Sequence, residues 1–157
     1  MKIANFAPVM GRILALDIGQ KRIGVAVSDP LRMIATPLGT WHVKDIWQFL
    51  QTYIPENNVD LLVAGLPLQM DNSFSDSIRF VTPFVNRLKK LFPHIGVHMV
   101  DERFTSKMAT AAIRESGVNK KTRQDKALVD TISATIILQS YMSRESRVES
   151  RELRVES

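Results

Sequence analysis

Three carboxylates stand where a carboxylate is costly. Asp17 ends the apolar run Arg12-Ile13-Leu14-Ala15-Leu16-Asp17. Glu102 follows a second apolar run, His94 to Val100, and Asp130 lies inside a helical segment one residue from its apolar stripe. A charge in such a place must be solvated, paired or bound to a cation. Three carboxylates on separate elements, with no His or Cys cluster beside them, suit a hard cation with oxygen ligands, Mg²⁺ or Mn²⁺. Two such ions held by shared carboxylates can run in-line phosphodiester hydrolysis, one activating water and the other stabilising the leaving oxygen. Competing readings stand beside this one. Asp130 could pair with Lys126, one helical turn earlier, or with Arg103. Asp101 could replace Glu102, and Asp17 could cap a turn with its own backbone.

The remaining composition narrows the chemistry. The chain has 157 residues, 45% apolar and 24% charged, which fits one globular domain with a real core. It has no cysteine, so disulfides, thiolate metal sites and thiol catalysis are excluded. No apolar run reaches ~18 residues and no export signal is legible, so the expected compartment is the cytoplasm. Lys and Arg total 21 against 16 Asp and Glu, a formal charge of +5. Residues 144–157 balance four Arg with four Glu, so the excess lies before them. Cations gather at Lys120, Lys121, Arg123 and Lys126, and again at Arg87, Lys89 and Lys90. Charge of this kind fits a polyanion partner or a solvated surface. The histidines, His42, His94 and His98, show no ligand spacing and read as structural or surface residues.

The elements that must position these groups follow from periodicity. Strands are expected at 12–17 and 23–29, joined as a hairpin by Gly19-Gln20-Lys21-Arg22. A third strand near 34–41 carries Pro37 and belongs near an edge. Helices are expected at 44–53 and 75–91, with Pro83 kinking the second or delaying its start. They alternate with buried strands at 60–65 and 94–100. A short helix at 106–116 and a longer one at 123–142 follow. Residues 1–11 read as an extension, 12–142 as the domain, and 143–157 as a low-complexity tail that is a frayed helix or disordered. The order implies an α/β fold: a mixed five-stranded sheet, antiparallel first and parallel later, with helices on both faces. Gly19 and Gly24, flanking Lys21-Arg22, fit a close approach to phosphate or an ordinary turn and packing.

Four stretches resemble a known family. Leu16-Asp17-Ile18-Gly19-Gln20-Lys21-Arg22-Ile23-Gly24-Val25-Ala26-Val27-Ser28-Asp29 is similar to the opening motif of the bacterial YqgF/RuvX family, Holliday-junction-resolvase-like nucleases implicated in maturing pre-16S ribosomal RNA. Val63-Ala64-Gly65-Leu66-Pro67-Leu68-Gln69-Met70-Asp71 resembles its second motif, Asp101-Glu102-Arg103-Phe104-Thr105-Ser106 its third, and Lys126-Ala127-Leu128-Val129-Asp130-Thr131-Ile132-Ser133-Ala134 its last. Asn72 stands where a glycine is expected after Asp71. The resemblance implies an RNase H-like fold and metal-dependent cleavage of structured nucleic acid. It implies Asp17, Glu102 and Asp130 as catalytic metal ligands, with Mg²⁺ or Mn²⁺ as the metal. Arg22 and Arg103 are implied as phosphate-facing cations and Lys126 as a helper. Lys21 and the basic stretch with Lys120, Lys121 and Arg123 would grip the backbone. The substrate is expected to be an rRNA precursor, or else branched DNA, taken by a monomer or homodimer. Two other readings are weighed: a nucleotide-binding ATPase resting on Asp17-Ile18-Gly19, for which the chain has one domain where two are needed, and a non-catalytic nucleic-acid-binding module. No aromatic platform for stacking RNA bases is legible.

Overall fold

The first two strands form because a nearly continuous run of β-branched and aliphatic residues is broken once, by Gly19-Gln20-Lys21. In the computed structural model, which describes residues 11–69, 71, 73–101 and 126–156, β1 (Arg12–Ile18) and β2 (Arg22–Ser28) pair antiparallel. The Gly19 amide closes the turn by donating to the Arg22 carbonyl at 2.9 Å. β3 (Ala35–His42) pairs antiparallel with β2 and forms the sheet edge, as Pro37 foretold. Its register shifts by one residue between Val25 and Ala26, where Gly39 takes a φ of 146°. That is a β-bulge, and only glycine adopts its backbone readily.

β4 (Val59–Leu66) lies parallel to β1, and β5 (Gly96–Asp101) lies parallel to β4. The sheet order is β3-β2-β1-β4-β5, the mixed sheet expected from the sequence. α1 (Ile46–Glu56) and α2 (Ile78–Leu91) cover one face; α3 (Lys126–Glu156) covers the other. α2 begins three residues later than its apolar stripe suggests. Ile78, Arg79 and Phe80 each donate to a carbonyl three residues back, so the chain enters as a tight turn before Pro83. α3 runs to Glu156, well past Met142.

Side-chain alternation along β1 sorts the core into two layers. Leu14, Leu16 and Ile18 pack toward α1 and α2 with Leu50 and Leu88. Ile13 and Ala15 pack toward α3 with Ala134, Ile137 and Leu138. Each such fully buried Leu or Ile contributes about 1.5–3 kcal/mol. Asp17 shares the parity of Ile13 and Ala15, so it belongs to the α3 face.

At the far end of the sheet, Arg32 (φ 56°) ties three segments together. Its Nε donates to the Gly11 carbonyl (3.0 Å), and its guanidinium pairs with Asp60 (2.6 Å) and Glu145 of α3 (3.6 Å). Tyr141 of α3 shares a hydrogen bond with His98 Nδ1 of β5 at 2.9 Å. α3 is therefore tied to the sheet at Tyr141 and Glu145, one helical turn apart.

Candidate active site

Asp17 lies half-buried near the end of β1. Directly opposite it in β2 is Gly24. On its other side, one step past the paired Leu16 and Ala64, is Gly65 of β4. The residues directly beside Asp17 in both neighbouring strands are therefore glycines, which add no side chain at its level.

Gly24 has a second consequence. A Cβ there would overlap the carbonyl of Asp130. The α3 backbone at Asp130 therefore rests directly on β2, at the level of Asp17. The glycine makes room for a helix, the packing alternative to a phosphate approach. Arg22, two residues earlier and on the same face of β2, donates from Nε to Asp130 Oδ2 at 3.2 Å. The Arg22 side chain is 40% exposed and that of Asp130 24%, so the pair sits at the rim, open to water. Arg22 is thus a partner of Asp130; the side chains of Lys126 and Arg103, the partners the sequence offered, lie outside the described residues.

The edge strand fixes the helix start from the other side. Thr40 pairs with Gly24 across β2 and β3. Its hydroxyl lies 2.8 Å from the Ala127 carbonyl and 2.7 Å from Thr131 Oγ1, which is itself 2.9 Å from the same carbonyl. Each hydroxyl has one proton, so two of these three contacts are hydrogen bonds at any moment. Thr40 and Thr131 are positioning residues that the sequence did not single out. A threonine on an edge strand carries no spacing signal for a helix some ninety residues away.

Asp101 ends β5 with the parity of Val97 and Met99, which pack against the α1–α2 layer, whereas Val100 joins the α3 layer. It therefore belongs to the face opposite Asp17. Glu102, Arg103, Lys120, Lys121 and Arg123 lie outside the described residues, and Lys126 is described only as the first residue of α3. Lys21 is exposed in the β1–β2 turn, its carbonyl accepting from Val43 at 2.8 Å. Among the described residues no three His, Asp or Glu side chains gather for a metal. The two acids brought to one level, Asp17 and Asp130, are hard oxygen donors of the kind Mg²⁺ or Mn²⁺ takes.

Away from this site, Trp41, Phe49 and Tyr53 form a stacked row with centroids 3.9 and 5.1 Å apart. They line an open groove of about 560 Å³ together with Asp45 and Glu56. The rings are half-buried against one another, and the two carboxylates repel a phosphate backbone.

A five-stranded mixed sheet in the order β3-β2-β1-β4-β5, with helices on both faces, is an RNase H-like fold. The fold matches Thermus thermophilus RuvC in complex with Holliday junction substrate at a TM-score of 0.50 and 13% identity, over 86% of this chain and 96% of that one. It matches the yeast mitochondrial Holliday junction resolvase at a TM-score of 0.57 and 8% identity, over 93% and 83%. The likeness at those identities is one of fold.

The RuvX family model, described as Holliday junction resolvase, matches residues 11–144, and the chain belongs to that family. A relative from Bacteroides thetaiotaomicron, named "Putative pre-16S rRNA nuclease", is 49% identical over 133 residues, 85% of this chain and 96% of its own length. One of the same name from Porphyromonas gingivalis is 47% identical over 138 residues, 88% of this chain and all of its own. The protein is a nuclease, and no helix among the described residues is long and apolar enough to cross a membrane.

Proposed function

We propose that the protein is a divalent-metal-dependent endonuclease that cleaves precursor 16S rRNA, with Asp17, Glu102 and Asp130 as metal ligands. The observation that carries this is that Asp17 pairs with Gly24 of β2, on which the Asp130 backbone of α3 rests. Bound there, Mg²⁺ or Mn²⁺ supplies an acidified water as nucleophile and positive charge for the leaving oxygen. The chain supplies the rest. β1 and α3 present carboxylate oxygens from rigid elements, which fixes the geometry of attack. Lys21 and Arg22 stand at the same end of the sheet, and Arg103, Lys120, Lys121, Arg123 and Lys126 add cations for the phosphate backbone. Recognition leans on shape and phosphates through these cations. A substrate of this kind places the protein in the cytoplasm.

Branched DNA is the second reading, favoured by the description of the matching family model as a Holliday junction resolvase. The names of relatives at 47–49% identity favour RNA. The deciding experiment gives the purified protein a precursor 16S rRNA fragment and a four-way DNA junction, each with Mg²⁺, with Mn²⁺ and with EDTA. Metal-dependent cleavage of the RNA, lost in Asp17→Asn, is the expected result. Cleavage of the junction alone would transfer the function to DNA, and equal cleavage in EDTA would end the metal mechanism.

A further inference from the structure

The carboxylate assigned to the metal is already held by a cation. Arg22 reaches Asp130 from β2 through Nε alone, at 3.2 Å, a single hydrogen bond and not a fork. An ion pair this open to water is weak. A divalent cation drawn to Asp130 both competes for its oxygens and repels the guanidinium. Arg22 cannot follow the helix if it moves, because its backbone is fixed in the β1–β2 pair by the Gly19–Arg22 bond. Its side chain can turn, being 40% exposed. A guanidinium released there keeps all its donors for a phosphate, which it grips in a bidentate manner.

We propose that Arg22 is a counter-ion that changes partners: it holds Asp130 in the metal-free protein, and metal loading frees it to bind the phosphate being cut. The idea rests on the metal-dependent reading above. It deepens the role of Arg22 from a standing phosphate ligand to one coupled to metal occupancy. Without the metal, the Arg22 guanidinium offsets part of the Asp130 charge. In the loaded site the same side chain delivers positive charge where the substrate brings negative charge.

Two measurements test it. Mn²⁺ binding, followed by the loss of the free-ion paramagnetic resonance signal, is compared in wild type, Arg22→Gln and Arg22→Lys. Removing the positive charge is expected to tighten Mn²⁺ binding about tenfold, the effect of a unit and a double charge a few ångströms apart in a water-like dielectric. Arg22→Lys should stay near wild type. RNA cleavage by Arg22→Gln at saturating Mn²⁺ should nevertheless fall, so affinity and activity move in opposite directions. Unchanged or weaker Mn²⁺ binding in Arg22→Gln overturns the proposal. The second measurement needs no variant. In wild-type protein titrated with Mg²⁺, the Arg22 Nε–H resonance should shift together with the backbone amides of Asp17 and Asp130. If those amides shift while Nε–H stays fixed, the exchange is wrong and the metal site stands. If none of them shifts, the metal site fails as well.

Discussion

Gly24 of β2 and Asp130 of α3 meet backbone to backbone, so that a single added methyl group would collide with the Asp130 carbonyl. Through this contact the sheet sets the height of the helix, and the helix sets where Asp130, a proposed metal ligand, stands. Gly24→Ala should force α3 away from β2. A loss of about 1–3 kcal/mol, the usual cost of overpacking, is expected in chemical denaturation. Cleavage should fall further than stability alone explains, which activity measured well below the melting temperature would show.

Asp17→Asn keeps the size of the side chain and removes its charge. With a ligand's charge gone, cleavage should drop by about a hundredfold or more, several kcal/mol of transition-state stabilisation. RNA binding should be partly retained, because the phosphate-facing cations are untouched. A filter-binding assay and a cleavage assay on the same preparation separate the two. Full cleavage by the pure variant would remove Asp17 from the mechanism.

Thr40→Val replaces a hydroxyl by a methyl of similar shape. The Ala127 carbonyl and Thr131 keep their own contact but lose the link to β3. One hydrogen bond of this kind is worth about 1 kcal/mol. The expected outcome is a melting temperature lower by several degrees and slower cleavage with unchanged Mn²⁺ stoichiometry.

Both tyrosines of the chain hold their protons above the ordinary value of 10.0. Burial is the main cause for Tyr141, which is pushed up to about 12, with the Glu145 charge and its hydrogen bond adding and Arg32 opposing. Burial also raises Tyr53, against the Arg12 charge. The unfolded chain loses these protons near pH 10 and the folded chain later, so between those values the unfolded state binds fewer protons. Stability from this source is whole below pH 10 and declines from there toward pH 12. Tyrosinate absorbance should therefore rise later in native protein than in urea. Tyr141→Phe should flatten the alkaline decline.

Much of the architecture was legible from the one-dimensional pattern. The apolar runs at β1, β4 and β5 and the turn after Ile18 gave strands in the right order, and Pro37 marked the edge. Element ends moved by a few residues where caps and tight turns, and not apolar stripes, decide them, as at Ile78. Asp17 was legible because an acid at the end of a buried strand is costly in any fold. The Arg22–Asp130 pair was not, since 108 residues separate its partners and helical spacing offered Lys126 as a nearer cation. Gly24 was ambiguous for a related reason: a glycine that admits a helix and one that admits a phosphate look alike in a sequence. The tail was left open between a frayed helix and disorder because it has little to bury; Arg and Glu are good helix formers and continue a helix already anchored upstream.

The bulge at Gly39 and the proline at position 37 bear on how the protein behaves when concentrated. A regular rim would offer free amides and carbonyls at an even spacing, ready to zip onto a neighbouring molecule. Here the rhythm is broken and one donor is missing, so stacking into fibrils from that border is blocked. One misplaced residue and one ring are enough to keep that border from recruiting a second copy.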